Sequence, residues 1–286
     1  MKTVLYYELT RRRDNFIRSI LVPVILLLAL FVISICVDTM FPVVNRVYMK
    51  WPDMIKELLS LPAWSSRLYV NLWQLFALIY PIIFLYRMTI GLAGSIIEEE
   101  RLETVTYLHN MSVSRLQLML GKMLVWCEVV CVGLLMLLVE NVVFFLILGA
   151  GNMIGMMVEH YVTLVFVAVI YSITAVFFAS YHKKEGSCED AIFSVVVLTF
   201  LIARIYTLIQ FMSDLFVATG REGAITQKLD AIAEKLRILT IASPITWCWP
   251  GVYMRGIYVV CAVVIAGILL VAAGYIYPQR TFSEAE

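Results

Sequence analysis

The chain alternates long apolar runs with short polar ones, and that alternation predicts its elements. Runs at about 20–37, 71–93, 123–150, 161–181, 191–213 and 256–277 are continuously apolar and show no period-two alternation. Uninterrupted runs of this length predict membrane-crossing helices, because a helix satisfies its own backbone hydrogen bonds in lipid and an open strand does not. The shortest, 20–37, would give ~27 Å of helix, just enough to cross. The expected fold is an all-α integral membrane protein with six transmembrane helices.

The polar segments set the expected topology. Residues 1–19 mix Leu5, Tyr6, Leu9, Phe16 and Ile17 with Arg11, Arg12, Arg13 and Arg18. That pattern predicts an N-terminal amphipathic helix on the membrane surface, with its basic side toward head groups. No small-residue cleavage site follows the next apolar run, which argues against a signal peptide. The basic cluster places the N-terminus in the cytoplasm by the positive-inside rule, and six spans return the C-terminus there. Segments 38–70 and 214–255 are then extracellular, with Trp51, Trp64, Trp247 and Trp249 suited to the interface. Within the second, 225–238 is amphipathic: Ile225, Leu229, Ile232 and Leu236 oppose Lys228, Asp230, Glu234 and Lys235.

Composition agrees with this pattern. The 286 residues are 62% hydrophobic and 15% charged, with a mean hydropathy of +0.89; soluble domains carry far more charge. A net charge of +1 gives no reason to expect nucleic acid as a partner. The six cysteines are scattered and mostly inside apolar runs, where they serve as small apolar fillers. Cys127 and Cys131 have helical i,i+4 spacing, but no His or carboxylate set completes a metal site with them.

The most polar interruption is 98–122, EEERLETVTYLHNMSVSRLQLMLGK. Glu98, Glu99, Glu100 and Glu103 suit the start of a helix, where the dipole favours carboxylates. Val105, Leu108 and Met111 would supply apolar contacts on one side of it. Glu100, Thr104, Tyr107-Leu108, Val113-Ser114-Arg115 and Gly121-Lys122 resemble the stretch E-x-x-G-T-L-E-x-L-L-x-x-P-V-S-R, followed by G-K, of ABC-2 type (type V) ABC transporter permeases. Ser243-Pro244 before the last run and Phe282 in the tail are similar too. Glu103, Thr106 and Ser112 stand where that pattern has Gly, Glu and Pro.

The resemblance implies a permease subunit of an ATP-driven exporter in a bacterial inner membrane. Its cytoplasmic coupling segment, 98–118, would dock on a separate ABC ATP-binding subunit through Glu100, Arg101, Thr104, Leu108 and Arg115. This chain would hold no cofactor, ATP and Mg being bound by the partner ATPase. A second permease copy, identical or related, would complete the path. The alternative is a non-transporting assembly or sensor subunit that docks a cytoplasmic partner. A secondary transporter fits less well, since no inverted repeat is evident.

Ionisable residues at membrane depth are costly and mark candidate sites. Glu140 lies ~27 Å up the third run and Arg204 ~21 Å up the fifth, both in the outer half. Together with Asn141 they are expected to pair or to line a polar pathway. Enzyme readings fail on spacing. Position 116 is Leu where a phosphate loop needs Gly before Gly121-Lys122, and neither a zinc-peptidase H-E-x-x-H nor a G-x-S-x-G occurs.

Overall fold

A computed structural model of the protein describes residues 13–37, 68–101, 114–182, 184–218, 223–237, 243–248 and 256–279. Almost all of these are helical: α1 (Arg13–Val37), α2 (Leu68–Arg101), α3 (Arg115–Ile147), α4 (Ile154–Tyr181), α5 (Glu185–Phe193), α6 (Thr199–Ala218), α7 (Ala224–Arg237) and α8 (Gly256–Gln279). A 3-10 turn, Gly151–Met153, leads into α4; a π-helical turn, Ser194–Leu198, joins α5 to α6; a second 3-10 turn covers Pro244–Cys248. Leu68–Glu98, Arg115–Ile147, Gly151–Tyr181 and Val259–Gln279 are long and apolar enough to cross a membrane. They fall on the second, third, fourth and sixth predicted runs. The apolar part of α1, Ile20–Cys36, is shorter.

Helix boundaries extend past the apolar runs wherever a capping signal or good helix formers carry them. Ser114 caps α3: its hydroxyl accepts from the Gln117 N–H, and the Gln117 side chain accepts from the Ser114 N–H. This reciprocal box satisfies two otherwise orphaned donors, so α3 begins two turns before the apolar run at 123. Glu98, Glu99, Glu100 and Arg101 continue α2 and do not open a new helix. No Gly or Pro follows Gly94 to stop α2, and Glu is a good helix former, so the expected helix start at Glu98 is corrected: Glu98–Arg101 continue α2. Residues 13–19 continue directly into α1. The rest of the predicted surface helix, 1–12, lies outside the described residues.

α3 ends in a Schellman turn. Ala150 N–H reaches Phe145 O at 2.8 Å and Gly149 N–H reaches Leu146 O at 3.1 Å. Gly149 takes φ 69°, a left-handed conformation that only glycine adopts without strain. The chain thereby reverses tightly, and α4 packs antiparallel on α3.

α4 is the axis of the bundle, packed by α2, α3 and α8. Its inward face includes Met157, Leu164, Val167, Ala168, Tyr171, Ala175 and Ala179, all buried. α8 is peripheral, and Val260, Val264, Ile268, Val271 and Tyr275 leave it with a broad exposed apolar face, as lipid contact requires. α7 folds back along α6, with Ser213 Oγ donating to Asp230 Oδ1 at 2.5 Å. The face α7 turns to the protein is Thr226, Leu229, Ala233 and Leu236, while Ile225 and Ile232 remain 62% and 46% exposed. Leu229 and Leu236 of the predicted stripe thus face the protein, while Thr226 and Ala233 take the places expected for Ile225 and Ile232.

Candidate functional site

Two polar sites stand out, one at each end of the bundle. The lower end is where α2 leads to α3; the upper end is where α3 turns into α4.

At the lower end the predicted coupling residues meet different fates. Glu100 and Arg101 lie in the last turn of α2, and nothing is described of their side chains. Thr104 and Leu108 lie outside the described residues. Arg115 opens α3, and its Nη1 donates to the Pro278 carbonyl of α8 at 3.4 Å. This links the last predicted coupling residue to the end of the final helix. Leu116 follows suit, its Cδ1 lying 3.7 Å from where a Cβ on Gly274 would stand.

In the sequence Lys122 stands out only as half of the Gly121-Lys122 pair. It is 1% exposed, and its Nζ donates to the Ser95 carbonyl of α2 at 2.6 Å. A buried ammonium needs such an acceptor, and within membrane helices a backbone carbonyl is a usual choice. On the neighbouring faces, Ser180 Oγ of α4 lies 3.7 Å from Met119 Sδ. Glu185 of α5 approaches within 3.5 Å of a Cβ position on Gly94.

At the upper end, Asn141 is fully buried and fully engaged. Its Oδ1 accepts from the Tyr69 hydroxyl at 2.8 Å, and its Nδ2 donates to Leu137 O at 2.7 Å and to the Tyr161 hydroxyl at 3.0 Å. One amide therefore joins α2, α3 and α4. Aromatic rings wall it in. Phe31 and Phe144 stack at 4.0 Å, and Tyr69 meets both edge-on at 5.4 and 5.6 Å. Trp73 sets its ring against Phe145 and against His160. Such edge-to-face pairs add to the burial energy of the rings.

His160 anchors the Pro244–Cys248 turn: its Nδ1 bonds to the Cys248 carbonyl. A carbonyl only accepts, so Nδ1 carries the proton. Every residue of that turn is buried, and the Tyr171 hydroxyl lies beside the Ile245 backbone. His160 and Tyr171 are three turns apart on α4, ~16 Å along it. The turn, expected within segment 214–255, thus lies alongside the upper part of α4.

Glu140 and Arg204 are not joined. Glu140 is half-buried beside Asn141, and its Oε2 has no hydrogen-bond partner among the described residues. Arg204 is on α6, with its guanidinium 5.8 Å from the Phe200 ring centre. No ion pair between the two occurs among the described residues. The partners Asn141 does have, Tyr69 and Tyr161, carry the signal sequence reading missed: a polar residue inside an apolar helix implies hydroxyl or amide donors at equal depth on neighbouring helices.

No group of three or more metal-binding side chains occurs among the described residues. No protein-family model, curated protein or solved structure matches the chain.

Proposed function

We propose that this chain is the membrane-embedded permease subunit of an ATP-driven ABC-2 type exporter, with six spans, cytoplasmic termini and a bacterial inner-membrane location. A separate ABC ATP-binding subunit supplies ATP hydrolysis and binds ATP and Mg. A second permease copy, identical or related, completes the translocation path. The observation that carries the reading is the short polar stretch 98–118 set between two apolar helices of 31 and 33 residues. Val113-Ser114-Arg115 within it, and the Gly121-Lys122 pair that follows it, resemble the corresponding pattern of that family. The described residues on either side of it are helical, up to Arg101 and from Arg115. A short segment with an apolar side docks in a groove by burying a few anchors, and Leu108 is the anchor expected there.

The test is co-purification. Wild-type chain expressed with its ATP-binding subunit retains that subunit; Leu108→Asp inserts normally and loses it. Retention by Leu108→Asp at wild-type levels overturns the docking assignment. A wild-type chain that captures a different cytoplasmic protein, and no ATP-binding subunit, favours the assembly or sensor reading.

A further inference from the structure

We infer that Lys122 is a positioning residue that locks α2 and α3 into one unit at the root of segment 102–113, so that a push on this segment moves both helices together. The inference rests on the permease reading, and it adds how force leaves the docking segment.

Lys122 lies two turns into α3 and Ser95 about two turns before the end of α2. Their bond, at 2.6 Å, spans the two helices that flank 102–113. A charged donor on a carbonyl at that distance is short and directional. Sliding one helix by a single residue, ~1.5 Å, would break it. Apolar side chains in contact tolerate such slippage far better.

A second contact, one turn further up, enforces the same register. Gly91 precedes Ser95 by four residues and Trp126 follows Lys122 by four, so each pair shares a helix face. A Cβ on Gly91 would stand 2.5 Å from Trp126 Cη2 and 3.1 Å from Cζ3. The indole therefore occupies space that only glycine leaves open. One rung is polar and the other steric, and both hold at one axial register.

The same turns of α3 also reach α8 and α4. Arg115 and Leu116 meet α8 at Pro278 and Gly274, and Met119 meets α4 at Ser180. A displacement entering α3 with the two rungs intact is passed to the lower ends of α2, α4 and α8. With the rungs loosened, it is absorbed between α2 and α3.

The experiment uses the full chain with its co-purified ATP-binding subunit in proteoliposomes. Lys122→Met should keep the subunit in unchanged amount yet lose about tenfold of the chain-dependent stimulation of ATP hydrolysis, a split that simple misfolding does not produce. Lys122→Arg should recover most of the stimulation by restoring a cationic donor. Gly91→Val, which drives a side chain into Trp126, is the second variant and should show the same split. Wild-type stimulation in Lys122→Met overturns the inference. So does parallel loss of binding and stimulation, absence of rescue by Arg, or failure of both Lys122→Met and Gly91→Val to fold. If the wild-type chain retains no ATP-binding subunit, the permease reading itself falls and the inference with it.

Discussion

At the upper end of the bundle, Asn141 of α3 is held by the side chains of Tyr69 on α2 and Tyr161 on α4. At the lower end of the same helix, Lys122 takes a main-chain carbonyl, that of Ser95. The upper network depends on the identity of its members, since both partners on the neighbouring helices are side chains. The lower bond depends on Lys122 and on the path of α2, and hardly on which residue stands at 95. The upper end is also packed with stacked and edge-on rings, whereas the lower end meets through glycines at 91, 94 and 274. A ring-packed, side-chain network resists rearrangement; a glycine-lined seam with a directional bond to the main chain fixes register at little cost in contact area. That contrast fits an upper end that stays closed and a lower end that transmits movement.

Three substitutions break this comparison at different strengths. Trp73 is completely buried between Phe145 and His160. Trp73→Ala should remove about 3–5 kcal/mol, read as a large fall in the thermal midpoint of the detergent-purified chain. A fall as small as that of a surface substitution would show that the upper core is loosely packed. Asn141→Leu strands the Tyr69 donor and deprives Tyr161 of its own, at about 1–3 kcal/mol. Adding Tyr69→Phe and Tyr161→Phe should recover most of that loss, because removing all partners together leaves nothing unsatisfied. No recovery would mean that packing, and not the hydrogen bonds, holds the site. Ser95→Ala should be nearly silent, within about 0.5 kcal/mol. Among the described residues the Ser95 hydroxyl bonds its own helix, at Leu92 O, at 2.7 Å, and the carbonyl that Lys122 needs survives. A marked effect of Ser95→Ala would move the lower contact from backbone to side chain.

The helical class and four of the long helices were legible in the apolar runs, because in lipid the backbone leaves few other choices. The helix starts were less so. α3 begins at Arg115, in polar sequence, because Ser114 and Gln117 cap it; a hydropathy reading keys on the apolar residues that begin further on. Glu98, Glu99 and Glu100 read as a helix start by their charge, yet they continue α2. The dipole preference is worth under about 1 kcal/mol and does not outweigh an uninterrupted run of helix formers. Asn141 could be picked out as a polar residue in an apolar helix. Its partners could not, since Tyr69 and Tyr161 lie 72 and 20 residues away in sequence and meet it only through the bundle. Glu140 and Arg204 shared a depth along the chain, but depth alone does not choose neighbours: α6 packs along α7, and Asn141 faces α2 and α4. Lys122 closes the polar interruption 98–122 in the sequence; its burial follows from the way α2 continues past its apolar run and lies beside α3.

The central claim is that the chain engages an ATP-binding subunit through 98–118. Its most direct test is the amount of that subunit retained by purified wild-type chain and by Leu108→Asp, compared at equal membrane insertion. The account predicts retention by the wild type and loss by Leu108→Asp. Equal retention by both, or none by the wild type, would contradict it.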